Sequence, residues 1–368
     1  MSRLLETFLD LVRIESPTGH ERAVAEYMAA ALTDAGCAVR FDETQSQTGS
    51  DVGNLFACLP GTAPGPVIAL SAHMDCVQPC EGVIPVVADG AVRSAGATVL
   101  GGDDKIGLAA ILETMRRLQE SGVPHPEIRA VLTVAEELGL VGAKALAHDD
   151  CVADVCLVVD ADGAVGGIVT AAPTHYTFRA AFSGRAAHAG VEPEKGVSAI
   201  RMAASAIGAM RLGRLDERTT ASIGTIVGGS ATNVVPPRCD LTGECRSLDR
   251  ARVEDVRADM ARALETAATE YGGEVGVEWS LEYEGFSSDP ESAVLSLVQA
   301  ACADIGVRPR CFATGGGSDG NIFAAHGVPT LVLSSGMRNV HSTDEEIEVA
   351  ELEKLADLLV AVARRAAG

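Results

Sequence analysis

Residues 67–75 read VIALSAHMD, an apolar run that ends in a histidine and an aspartate. A short apolar segment introduced by the turn GTAPGP has the pattern of a strand covered on both faces. Downstream, GGDDKIGLAAILETMRRLQE (101–120) places Leu108, Ile111, Leu112, Met115 and Leu118 on one face of a helix. IRAVLTVA (128–135) and VCLVVD (155–160) repeat the strand pattern, and VGAKALAHD (141–149) between them predicts a short helix. Strand and helix in alternation mean an α/β layer around a mixed, largely buried sheet.

Working outward, two amphipathic helices are expected over 2–14 and 20–36, interrupted by SPTGHE, with short strands near 38–42 and 54–59. Beyond residue 173 the rhythm changes. A strand at 174–183, a helix at 197–212, strands at 221–228 and 238–247, a helix at 249–271 and a strand at 274–283 make a βαββαβ, ferredoxin-like α+β unit. After EGFSSDPES the first rhythm resumes through segments 290–305, 309–313, 319–326 and 328–334 to a closing helix from 348. One α/β domain, 1–173 and 286–368, is therefore expected to carry an insertion at 174–285.

Bulk properties narrow the partners. The formal charge of -22, from 51 acidic and 29 basic residues, argues against nucleic acid and against an anionic membrane surface. No run of 18 apolar residues is present to span a bilayer. The N-terminal segment alternates acids with apolar residues and lacks the pattern of an export signal, so a cytoplasmic location is expected. The ten cysteines, mostly in apolar surroundings, then read as reduced core thiols. CVQPC (76–80) lacks the spacing of a zinc or dithiol motif.

In open α/β sheets, ligands collect at the carboxyl ends of strands. There this sequence places His73 and Asp75, Glu136 and Glu137, Asp160 and Asp162, and His341, with Asp103 and Asp104 at a helix start. Each has a bland alternative: Asp103 as a helix cap, the two glutamates as solvated first-turn acids, Asp160 as a turn residue. Together they form an acid cluster that would repel itself without cations. Carboxylate and imidazole suit zinc, with cobalt or manganese as alternatives. Two such ions about 3.5–4 Å apart can share a carboxylate and a water, lowering the water's pKa towards ~7. A free carboxylate beside them would take the proton.

The motifs SAHMDCV, RSAGATVLGGDDKIGLAAI, TVAEELGLVGAK, VVDADGAVG and NVHS, with SPTGHE near the start, resemble the M20 clan of di-zinc peptidases, its peptidase T-like branch above all. The resemblance implies His73 and Asp160 on one metal, Glu137 and His341 on the other, and Asp103 between them. It makes Glu136 the general base, sets Asp75 against His73 to fix its tautomer, and implies a cis bond between Asp103 and Asp104. It also makes the insertion a lid and dimerisation domain, so a homodimer is expected. His188, which by its context alone reads as a surface histidine, is assigned to polarising the scissile carbonyl. Asn233 and Arg246 match substrate-contacting positions, Arg246 for a substrate carboxylate. TGGGSDGN (314–321) lacks the Lys-Ser or Lys-Thr of a Walker loop; Gly316 and Ser318 within it would line the substrate cleft. The implied activity is hydrolysis of an amide bond in a short peptide, with an aminopeptidase favoured on the peptidase T-like flanks. A carboxypeptidase, an N-acyl amino acid deacylase and a non-hydrolytic metal or peptide binder are the alternatives.

Overall fold

The computed structural model describes residues 1–367. The chain divides into two compact units. One comprises Met1–Thr170, Ser287–Ala313 and the residues from Ser318 onward; the other comprises Ala171–Phe286 and Thr314–Gly317.

The first unit is built on a nine-stranded mixed sheet. Its centre is a parallel set in the order Ile128–Thr133, Ile68–His73, Val155–Ala161, Thr330–Ser334. Every residue of Ile68–His73 and Thr330–Ser334 is buried, which is why these strands read as unbroken apolar runs rather than alternating ones. Helices Arg3–Arg13, Gly102–Ser121 and Val349–Ala366 pack on one another beside the sheet. Among the described residues, no helix is long and apolar enough to cross a membrane.

Helix Gly102–Ser121 departs from the one-sided stripe expected of it. Ile106, Ala109 and Ala110 are as fully buried as Leu108, Ile111 and Leu112. The helix is enclosed by the strand Ile68–His73 and by the two terminal helices, so it is covered nearly all round in its first turns. Two boundaries also differ from expectation. The strand running into SAHMD ends at His73 rather than Asp75, its last bond to the neighbouring strand running from the Met74 N–H to the Thr133 carbonyl. The helix expected over 141–149 covers only Val141–Lys144; Ala145 closes it with tighter bonds, and a separate 3-10 turn follows at His148–Cys151.

A small sheet that the sequence did not foretell completes this unit. Its order is Met337–Arg338, Glu346–Glu348, Ala91–Ser94, Pro85–Ala88. It ties the segment before Asp103 to the segments on either side of His341.

The second unit has the βαββαβ order. Its antiparallel sheet runs Gly213–Asp216, Thr219–Gly228, Arg238–Ser247, Thr174–Ser183, Glu274–Tyr283. Helices Ala199–Ala209 and Arg250–Glu270 pack on it. Burial alternates along Arg238–Ser247, as it must when one face meets helices and the other does not. Phe178, Phe182, Leu241, Met260 and Leu264 fill the core. Gly213–Asp216 is an added hairpin strand; the remaining four strands have the ferredoxin-like order.

Close packing around Ala110 makes it the sharpest probe of the enclosed helix. Ala110→Leu should cost about 1–3 kcal/mol through overpacking, read as a lower urea midpoint. An unchanged midpoint would mean that this face is open.

Candidate metal centre

The carboxyl ends of the four parallel strands carry the charged groups. His73, the last residue of its strand, is buried, with its Nε2 3.0 Å from Asp103 Oδ1 and 3.8 Å from Asp160 Oδ1. Its Nδ1 lies 3.1 Å from the Asp75 carbonyl and 3.3 Å from Asp75 Oδ1. His341 enters from a loop between strands of the small sheet. Its Nε2 is 3.2 Å from Asp103 Oδ2 and 3.1 Å from Glu137 Oε1. Asp103 thus turns one oxygen to each histidine. The peptide between Asp103 and Asp104 is cis.

Asp75 does more than face an imidazole. Its Oδ1 accepts the Glu136 N–H at 2.9 Å, and its Oδ2 accepts the Glu137 N–H at 3.2 Å and the Thr18 hydroxyl at 2.8 Å. The glutamate pair is therefore not the first turn of a helix but a tight turn. Ala135 takes a positive φ, and the Glu136 carbonyl accepts the N–H groups of Gly139 and Leu140. Glu21 supports the same turn from the other side: fully buried, it accepts the Ala135 N–H at 3.1 Å and the Gly19 N–H at 2.9 Å.

The charges are crowded enough to perturb one another. Burial, reinforced by the Asp160 charge, pushes the Glu136 carboxyl well above the usual range, although part of its surface stays open. Burial and the Asp103 charge do the same to Asp160. Asp103 goes the other way: burial would raise it, but hydrogen bonds with His341 and His73 win and hold it down. Asp103 first and Glu137 second push His341 up to about 10. For His73, burial works against the charged form, and the hydrogen bonds with Asp103 and Asp75 outweigh it.

Several acid oxygens in this nest lack a hydrogen-bond partner. Asp104 Oδ2, Asp319 Oδ1, Glu21 Oε2 and Glu137 Oε1 are buried without one, the last 3.1 Å from His341 Nε2. Orphaned buried carboxylate oxygens are costly unless a cation takes them up. Donor atoms of His73, Asp104 and Asp160, and of His73, Asp103 and Glu137, lie within 4.8 Å of one another in each group. Oxygen and imidazole donors at these separations fit divalent cations. Asp104, not among the ligands expected from sequence, enters the first group, but its Oδ1 already accepts the Gly107 N–H. Asp162, by contrast, is exposed.

Asp319, Glu21 and Glu345 were not singled out in the sequence. Asp319 is buried, with the Thr133 hydroxyl donating to its Oδ2 at 2.5 Å, and burial lifts it to about 6. The signal was available, since Asp319 and Glu21 sit inside quoted motifs, but glycine drew attention to turns instead. Ser318 is spent on capping the helix Asp319–Ala325: its Oγ accepts the Gly320 N–H, and Asn321 returns a bond to the Ser318 N–H.

His188, Asn233, Arg246 and Gly316 belong to the second unit. His188 is exposed, and its Nδ1 accepts the Gly190 N–H at 3.2 Å, so the neutral ring carries its proton on Nε2. The Ala189 N–H donates to the Asn233 carbonyl, joining these two loops. The Gly316 N–H donates to the Thr314 hydroxyl. Arg246 is gripped bidentately by Glu244, at 3.2 Å and 2.9 Å, and its Nη1 lies 3.3 Å from the Tyr283 hydroxyl.

His175 also bonds Glu244, at 3.0 Å; that bond, with Arg246, draws its carboxyl down to about 2. The stabilisation from a depressed acid is present above its unfolded pKa of ~4.3 and lost as pH falls towards the folded value. Wild type should therefore melt higher than Glu244→Gln at pH 6, and the difference should close by pH 2. Equal melting at both pH values would remove the carboxylate's role.

The chain matches the model of Peptidase family M20/M25/M40 over residues 69–365. It is 43% identical to the uncharacterized protein YqjE of Bacillus subtilis over 365 residues, 99% of this chain and 98% of that one. The crystal structure of aminopeptidase PepT from Bacillus cereus superposes with a TM-score of 0.94 at 43% identity, covering 100% of this chain and 98% of the other. A tripeptidase from Staphylococcus aureus superposes with a TM-score of 0.96 at 39% identity, covering 99% and 98%. A buried acid nest at the ends of parallel strands, carried on this fold and this sequence, makes the chain a member of peptidase family M20/M25/M40 and a metallopeptidase.

Proposed function

We propose that this chain is a two-metal aminopeptidase that releases residues from short, tripeptide-like peptides. The observation that carries the reading is Asp103, whose two oxygens face His73 and His341 separately. That is the arrangement of a carboxylate shared between two cations. Full-length likeness to an aminopeptidase PepT and to a tripeptidase supports the substrate class.

His73 and Asp160 would hold one cation, Glu137 and His341 the other, with Asp103 common to both. Zinc suits this donor set best, and cobalt or manganese would also be accepted. Such ions polarise a carbonyl and make water acidic enough to attack at neutral pH. Glu136, raised by burial and held by its backbone to Asp75, takes the proton of the attacking water and returns it to the departing amine. Asp75 orients His73. His188 offers Nε2–H to the carbonyl oxygen as negative charge develops there. Arg246 receives the substrate carboxylate, with Asn233 and Gly316 as further contacts; Ser318, occupied in capping its helix, only shapes the turn beside Gly316.

The same reading makes the protein a cytoplasmic homodimer joined through the second unit. Ten thiols suit a reducing compartment.

Glu136→Gln should retain two cations by elemental analysis and lose ~10²–10⁴-fold in turnover. A variant that turns over normally would disqualify Glu136. His188→Ala should lower kcat ~10²–10³-fold at constant metal content. The deciding experiment is a panel of tripeptides, dipeptides and N-acyl amino acids presented to protein loaded with zinc, cobalt or manganese. Cleavage from the amino end of tripeptides is expected; cleavage of N-acyl amino acids alone, or from the carboxyl end alone, would reject the aminopeptidase assignment. No cleavage at all would favour a binding protein.

A further inference from the structure

Glu345 lies four residues beyond His341 and is almost completely buried. Its Oε2 accepts the Gly101 N–H at 2.8 Å and its Oε1 the Asp103 N–H at 2.9 Å. These donors open the helix Gly102–Ser121 and have no partner within it. One carboxylate therefore fastens the turn that presents Asp103 to the loop that presents His341.

The loop is organised around this anchor. Ser342 Oγ donates to the Asn339 carbonyl at 2.7 Å and accepts the Asp344 N–H at 3.2 Å. The Glu345 N–H returns to the Ser342 carbonyl, and Asn339 Nδ2 donates to the Asp344 carbonyl. Immediately after, Glu346–Glu348 pairs with Ala91–Ser94 and with Met337–Arg338. His341 itself has a side chain 52% exposed, against 2% for His73. Burial fixes His73; His341 depends on its loop. Gly102 makes the approach possible, since a Cβ there would lie 2.9 Å from Glu345 Oε1 and 2.5 Å from Ile347 Cδ1.

We infer that Glu345 is a positioning residue for the cation site of Glu137 and His341: it holds His341 in register with Asp103, and without it that site weakens before the other. The inference rests on the two-metal reading above. A carboxylate that merely caps the helix would, when removed, lower the melting temperature and leave cation binding unchanged.

The test is a titration of the metal-stripped full chain with Zn²⁺ against a chelating indicator, repeated with Co²⁺ to follow the absorption of each equivalent. Wild type should take up two ions. Glu345→Ala should bind the first as wild type does and the second ~10–100-fold more weakly, the usual cost of losing a group that orients a ligand. Glu345→Gln, with one acceptor oxygen left, should fall between. Gly102→Ala, which displaces the carboxylate without removing it, should resemble Glu345→Ala. Cooperative melting of each metal-free variant identifies those that fold; if Glu345→Ala does not, the other two decide. Two ions in wild type with both affinities unchanged, or equally reduced, in the variants would overturn the inference alone. Fewer than two ions in wild type would overturn the two-metal reading and this inference with it.

Discussion

The structure depends on how a dense group of carboxylates is kept inside a protein. Buried ionised acids are costly in a low-dielectric interior, and acids close together repel. Here they are stabilised in two ways. Asp75, Glu21 and Glu345 accept backbone N–H groups, so their charge is spread over donors the chain supplies. Asp104, Glu137, Asp319 and Glu21 itself each keep a buried oxygen without a hydrogen bond, and burial pushes Glu136 and Asp160 towards their protonated forms. The first set forms the frame of the site. Asp104, Asp160 and Glu137, together with Asp103 and His73, are donors of the kind that divalent cations take up.

The frame explains why the loops are shaped as they are. The Glu136–Glu137 turn is held on one side by Asp75 and on the other by Glu21, so both glutamates are placed through their backbone rather than their side chains. The carboxylates themselves take no part in that anchoring. Glu345 applies the same device to Asp103. In each case an acid distant in sequence binds the N–H of an acid that faces the nest. Backbone anchoring allows a reacting side chain to be positioned without consuming its own oxygens.

The second unit handles charge differently. Glu244 grips Arg246 and also bonds His175, so the guanidinium is held in one orientation. The fork's Nη1 is also directed to the Tyr283 hydroxyl and the Gly315 carbonyl, at 3.3 Å and 3.5 Å.

Much of this was legible in the chain itself. Apolar runs such as VIALSAHMD declare buried parallel strands, because strands covered on both faces have no polar alternation to preserve. The histidine and acids at their ends marked the site, since strand ends converge in this architecture. The βαββαβ unit followed from periodicity. What periodicity misjudged was enclosure: Ala109 and Ala110 lie outside the helical stripe yet are buried, because how many neighbours surround a helix is a property of the assembled core. The small sheet beside His341 was invisible for a related reason, as strands of two to four residues carry no period to read. Residue types and spacing thus determined which segments form the layers and which strand ends carry acids and histidines. Only the folded chain decided which backbone N–H groups each acid accepts, because acids and donors are brought together from distant segments, as Glu345 is brought to Asp103.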